Sequence, residues 1–209
     1  MSWILTATGV QFDLHLIRDA DISLIDIAHH LAQVNRYTGA CSRPMSVAEH
    51  SLFVLAIVED VLPAAGPAVL LAALMHDAHE AYTTDLSAPM KQVIGEAWRA
   101  QENRIQRAVL KRFGLVEASA GAAKLIHWAD MTALVTERQH LLPHTGPAWD
   151  AERLHEPSRC WNFPANGKFA WHDWRELFME RFAELDYARQ HAPLPVLVSS
   201  LATNTPSLP

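Results

Sequence analysis

The stretch LLAALMHDAHEAYTTDLSAPMK, Leu70–Lys91, begins as an apolar run and then carries His76, Asp77, His79 and Glu80 within five positions, with Asp85 and Lys91 close behind. Preceded by Gly66-Pro67, acceptable at a first turn, and apolar nearly all round to Met75, it reads as the central helix of a core. An ionised carboxylate buried there without a partner is strongly unfavourable, or is driven neutral. The charges therefore call for a compensating group, and a metal ion is one.

Working outward, the same conflict recurs twice. SVAEHSLFVLAIVEDVL (46–62) is a helix with a capping-box start, Ser46 followed by Glu49, and it carries His50 in its apolar stripe. AAKLIHWADMTALVTERQHLL (122–142) is another, interrupted by Asp130 and closed by Pro143. His50, His76-Asp77 and Asp130 thus sit on three separate helices. Two imidazoles and two carboxylates suit one divalent transition metal, Co, Mn, Fe, Ni or Zn, with water completing its sphere. Neighbouring helical residues point about 100° apart, so His76 and Asp77 can share an ion only if it lies beside their helix with the other two closing round it. Glu80 follows Asp77 by three positions and His76 by four, on the same face, where a proton acceptor is wanted.

The rest of the chain is also mostly helical. SLIDIAHHLAQVNRY (23–37) has Leu24, Ile27, Ala28, Leu31 and Val34 at helical spacing behind Asp21 or Ser23 as cap. A polar-faced helix is expected over Val93–Phe113, stopped by Gly114, and AWHDWRELFMERFAELDYARQ (170–190) is an amphipathic one. Val10, Phe12 and Leu14 alternate near Thr8-Gly9, suggesting a small N-terminal β-hairpin. Between Pro143 and Lys168, prolines and glycines punctuate a stretch holding Trp149, Trp161 and Phe163, which reads as a packed irregular loop with room for a short helix. The fold class is all-α, a bundle of five or six main helices in a single domain over 1–192. An extended or frayed tail is expected over 193–209.

Composition narrows the function classes. At 209 residues, half of them hydrophobic, the chain can bury a proper core. A formal charge of −6 gives no broad basic surface for a nucleic-acid polymer. Cys41 and Cys160 lie in no paired spacing, against a disulfide framework or thiolate zinc cluster. With no basic n-region, sustained h-region or bilayer-length apolar run, the chain reads as cytoplasmic with no membrane partner.

The order His50, His76-Asp77, Asp130 resembles the metal-binding signature of the HD-domain superfamily of phosphohydrolases. VNRYTG…SVAEHS and MHDAHEAYTTDLSAPMK are similar to the bacterial 5′-deoxynucleotidases within it. The resemblance spans Ala28 to Thr136, roughly half the chain. It implies an HD-domain helical bundle, one divalent metal held by His50, His76, Asp77 and Asp130, and hydrolysis of a nucleotide phosphate ester. It also implies that Glu80 stands beside the attacking water, that Asp85 is a second acidic position and that Arg36 contacts phosphate. Tyr37 occupies the place of a tryptophan often seen after that arginine, which makes it a substrate-side candidate, and Thr84 stands where those enzymes usually have glycine. A homodimer is suggested by the resemblance alone.

The expected activity is release of phosphate from a (deoxy)nucleoside 5′-monophosphate, with Arg36 gripping phosphate oxygens through its planar fork and Lys91 supplying a point charge. A rival is a (deoxy)nucleoside triphosphate phosphohydrolase, for which Arg43, Lys124 and Arg138 are further cations; another is a non-catalytic nucleotide-binding module. His172-Asp173 repeats the His-Asp pair at an exposed helix start, where aspartate suits the dipole, and reads as structural. His29, His30, His79 and His127 read as core or supporting residues rather than ligands, and Trp171, Trp174, Phe178 and Phe182 read as core.

Overall fold

In the computed structural model, which describes residues 2–143 and 145–192, the alternation around Phe12 does produce a hairpin. β1 (Trp3–Leu5) pairs antiparallel with β2 (Gln11–Asp13), Ile4 opposite Phe12. The connecting turn holds Gly9 at φ +84°, which costs glycine no strain. Phe12 is fully buried and stacks on Tyr82 with ring centroids 4.0 Å apart, pinning the hairpin to the helical body. The expected tail, 193–209, lies outside the described residues.

The other regular elements are helical, so the fold is all-α with a small N-terminal hairpin. They are α1 (Leu24–Gln33), α2 (Val47–Val61), α3 (Pro67–Leu74), α4 (Glu80–Thr83), α5 (Ala88–Ile94), α6 (Glu96–Arg112), α7 (Val116–Leu141), α8 (Phe163–Asn166) and α9 (Trp171–His191). α3 lies at the centre, packed on one side against α9 and on the other against α2 and α7. Leu71 and Leu74 join one apolar cluster with Ile27, Leu31, Ile105 and Phe178, while Ala72 and Ala73 join a second with Phe53, Ala129 and Ala133. Burying each of those leucines stabilises the fold by about 2 kcal/mol. This is why α3 has no polar face. Among the described residues no helix is long and apolar enough to cross a membrane.

Helix starts follow local chemistry. Ser23 rather than Asp21 caps α1, its Oγ accepting from Ile25 N–H at 3.2 Å, while Asp21 pairs with Arg18 at 2.7 Å. Ser46 caps α2 by accepting from Glu49 N–H at 3.1 Å. Glu49 does not complete the expected box: its fully buried carboxylate turns to Arg43, whose two Nη atoms each donate to it at 2.7 Å. Trp161 adds an Nε1 bond to the same carboxylate at 3.4 Å and stacks on Phe53 and Trp174. The tryptophan-rich connection is thereby sealed over α2, with a 3₁₀ turn at Asp150–Arg153 and the short α8 along it.

Two helix expectations are corrected. The central helix, expected to continue to Leu86, stops at Leu74, and residues 75–79 form tight turns before α4 resumes. There the backbone bonds to the third residue back instead of the fourth: Ala78 N–H to Met75 O at 3.2 Å, Glu80 to Asp77 at 2.9 Å, Tyr82 to His79 at 2.9 Å. The polar helix expected over Val93–Phe113 is two, α5 and α6, divided at Gly95 with φ +78°.

Arg43→Ala leaves the Glu49 carboxylate buried and unpaired, and is expected to cost about 3 kcal/mol of unfolding free energy. Denaturant titration measures it, and Arg43→Ala combined with Glu49→Gln should recover part of the loss.

Candidate metal centre

The tight turns decide which side chains meet. Where residues bond at i to i+3, side chains three apart eclipse, which aligns Glu80 with Asp77, while the ligand atoms of His79 and Glu80 also lie within 4.8 Å of each other and of Glu102. His50 enters from the first turn of α2, fully buried, and Asp130 from the middle of α7. His50 Nε2 lies 3.1 Å from Asp130 Oδ1 and 3.6 Å from Asp77 Oδ2, and His76 Nε2 lies 3.1 Å from the same Asp77 oxygen. The imidazoles come from the protein interior, whereas the Asp77 and Asp130 side chains are 20% and 24% exposed and form the open side. His50, His76 and Asp130 offer ligand atoms within 4.8 Å of one another, and Asp77 adjoins them through His50 and His76.

Hydrogen bonding fixes which nitrogen of each ring keeps its proton once the ring is neutral. His76 Nδ1 faces the Ala73 carbonyl oxygen at 2.8 Å, which only accepts, so Nδ1 carries the proton. His50 Nδ1 likewise donates to Glu137 Oε1 at 2.6 Å. That leaves both Nε2 atoms, buried and without a hydrogen-bond partner, facing the carboxylates. A buried imidazole backed by a carboxylate and opposed by two more is a metal-ligand arrangement, and the donor set of two nitrogens and two oxygens fits a divalent transition ion.

Glu137 is the residue that sequence reasoning missed. It stands seven positions beyond Asp130 on α7, two helical turns along the same face, and that spacing was the available signal. Its carboxylate is fully buried and accepts from His50, from Arg36 Nε at 3.0 Å and from the Tyr37 hydroxyl at 2.5 Å. Burial alone would raise its pKa, but Arg36 and His50 outweigh that and hold it down at about 2. The same balance acts on His50: burial and Arg36 disfavour the imidazolium, yet Glu137 and Asp130 prevail and lift its pKa to about 10. Asp77 is held well below the usual carboxylate range because His76 and His50 overcome its desolvation.

Glu80 goes the other way. It is 2% exposed, and burial together with the charges of Asp77 and Asp85 raises its pKa well above the ordinary value against the pull of Arg36 and Lys91. Lys91 Nζ, from α5, is 3.6 Å from Glu80 Oε1 and 2.8 Å from Glu102 Oε1, a second unforeseen carboxylate, on α6. Arg36 Nη1 is 3.9 Å from Asp77 Oδ2, so this guanidinium spans from Glu137 to the open side. Asp85 follows Thr84, which adopts φ +75°, a strained angle for a β-branched residue and a natural one for glycine.

Tyr37 commits its hydroxyl to Glu137 and stacks on Trp149 at 6.2 Å. It and Thr38 are left-handed, at φ 56° and 50°, a strained loop held by those contacts. His30 donates Nδ1–H to Ala81 O at 2.7 Å and His29 meets Trp171 edge-on, both supporting the packing. His127 is exposed, as are His172 and the start of α9, where Asp173 accepts from Ala170 N–H at 2.7 Å. Trp174, Phe178 and Phe182 are core, while Trp171 is 42% exposed.

No known family model matches the chain. It is 31% identical over 193 residues to YfdR, an uncharacterized protein of Escherichia coli (strain K12), covering 92% of this chain and 100% of the relative. It is 39% identical over 116 residues to an uncharacterized protein of Rhodobacter capsulatus, covering 54% of this chain and 59% of the relative.

Glu137→Gln removes the charge behind His50 and is expected to weaken divalent-metal affinity about 10- to 100-fold, measured by titration with Co(II). A pH dependence follows as well. With its pKa raised from 6.5 to about 10, His50 is an imidazolium in the metal-free protein at neutral pH, and its stabilising share is complete below 6.5 and lost as pH rises through about 10. Metal uptake must expel that proton, so affinity should climb with pH from about 7 to 10. Over the same range the melting temperature of the metal-free protein should fall.

Proposed function

This chain belongs to the family of Escherichia coli YfdR, and from its own site geometry we propose that it is a metal-dependent phosphohydrolase of the HD-domain type. Its substrate on this reading is a (deoxy)nucleoside 5′-monophosphate, which water converts to nucleoside and inorganic phosphate. The observation that carries the reading is the convergence of His50, His76, Asp77 and Asp130 with two buried, unpartnered Nε2 atoms and Glu80 alongside. These four residues would hold the ion. A bound divalent cation supplies Lewis acidity, lowering the pKa of water and polarising a phosphoryl oxygen.

The remaining work falls to protein side chains. Glu80, desolvated and crowded by Asp77 and Asp85, is a carboxyl that can hold a proton nearer neutrality than an exposed glutamate, which suits it to take a proton from the attacking water or return one to the leaving oxygen. Asp85 raises that proton affinity and is the alternative donor to the leaving group. Arg36 uses Nε on Glu137, leaving its Nη groups for phosphate oxygens, where charge gathers in an in-line displacement. Lys91 adds a point charge next to Glu80.

The engagement of two of the three spare cations supports a monophosphate over a triphosphate. Arg43 is bidentate on Glu49, Arg138 pairs with Glu152 at 2.9 Å and bonds the Pro147 carbonyl, and Lys124 is exposed. A pure binding module would have no use for a proton-transfer group beside the ion, which weighs against the non-catalytic reading.

Metal-loaded protein incubated with mono-, di- and triphosphates of each nucleoside should release inorganic phosphate from monophosphates, identified by phosphorus NMR. Glu80→Ala is expected to keep its metal and lose about 10²- to 10⁴-fold in rate. Near-normal phosphate release by Glu80→Ala would refute its role, and a nucleotide that raises the melting temperature yet survives intact would refute the enzyme reading.

A further inference from the structure

The broken helix at 75–79 has no local cause. Leu74-Met75-His76-Asp77-Ala78-His79-Glu80-Ala81 contains neither glycine nor proline, and its residues tolerate a helix. A continuous helix would bond His79 N–H to the Met75 carbonyl, four residues back. Both ends of that bond are instead taken by one side chain from another helix. Gln106 of α6 accepts from His79 N–H through Oε1 at 3.1 Å and donates from Nε2 to Met75 O at 2.8 Å. A carboxamide inserted in this way splits the helical ladder while leaving its donor and acceptor satisfied.

We infer that Gln106 is a positioning residue for the metal centre: its amide holds open the turn that carries His76 and Asp77. The inference rests on the metal reading above and deepens it. In that turn His76 Nε2 comes within 3.1 Å of Asp77 Oδ2 and both face His50. Glu80 opens α4 directly after the same turn, its N–H bonded to the Asp77 carbonyl at 2.9 Å. One turn earlier on α6, Glu102 holds Lys91, so a single helix face positions both the ligand pair and the cation beside Glu80.

The test uses Gln106→Met, close in shape but without the amide, with exposed Arg107→Ala as a control on the same helix. Titration with Co(II) should give an affinity about 10- to 100-fold lower and an altered d–d absorption spectrum for Gln106→Met. The control should match the unsubstituted protein. Carbon chemical shifts of residues 75–79 should move toward helical values in the metal-free variant. A residue that merely stabilises the fold would lower the melting temperature and leave the Co(II) spectrum alone, and that result overturns the inference. If Gln106→Met does not fold, Gln106→Glu takes its place: it keeps an acceptor for His79 N–H and has no donor for Met75, so the Co(II) spectrum must still change, and an unchanged one overturns the inference. An unsubstituted protein that takes up no Co(II) overturns the metal reading itself, whereas one that binds alongside unaffected variants overturns only the role of Gln106.

Discussion

A carboxylate with no access to water survives in a protein interior only when cations or strong donors surround it. Glu137 meets that condition with an imidazole, a guanidinium and a phenol at once. Because those groups project from two other parts of the chain, one side chain on α7 registers α2 through His50 and the strained 36–39 loop through Arg36 and Tyr37. The orientation of His50 Nε2, and with it the whole ligand set, is inherited from that arrangement. The Trp149 stack and the Arg138 contacts close the same region from outside, with the Arg138 guanidinium carbon 4.3 Å over the Trp149 ring.

In front of Glu137 the electrostatic balance is deliberately short of positive charge. Asp77, Glu80, Asp85, Asp130 and Glu102 cluster near Arg36 and Lys91, and the carboxylates beside them raise the proton affinity of both imidazoles. A divalent ion would relieve the same imbalance. Glu80 sits where relief is least complete, and burial together with Asp77 raises its proton affinity.

Much of this could be read from residue order. The apolar all-round character of Pro67–Leu74 announced a central helix, the Ser46 start announced α2, and the alternation through Phe12 announced the hairpin. The four candidate ligand residues stood out because charge on an oily helix has few explanations. What escaped was everything requiring a second segment. Glu137 looks like an ordinary polar residue in VTERQHL until three partners are seen to converge on it, and Glu49 reads as half of a capping box until Arg43 claims it. The break after Leu74 escaped for the same reason: its cause, Gln106, lies on a different helix and has no mark in the local pattern.

α7 runs unbroken for 26 residues and carries Asp130 at the open side and Glu137 at the closed one. A rigid rod joining two such points admits no change of length between them, because one inserted residue would rotate the far end by about 100° and advance it about 1.5 Å. Homologous chains must therefore accommodate insertions and deletions elsewhere. The irregular connection between α7 and α9, held to the body at Trp149, Glu152, Ser158, Trp161 and Phe163, is where variation in loop length between those contacts can accumulate without disturbing the spacing of the centre.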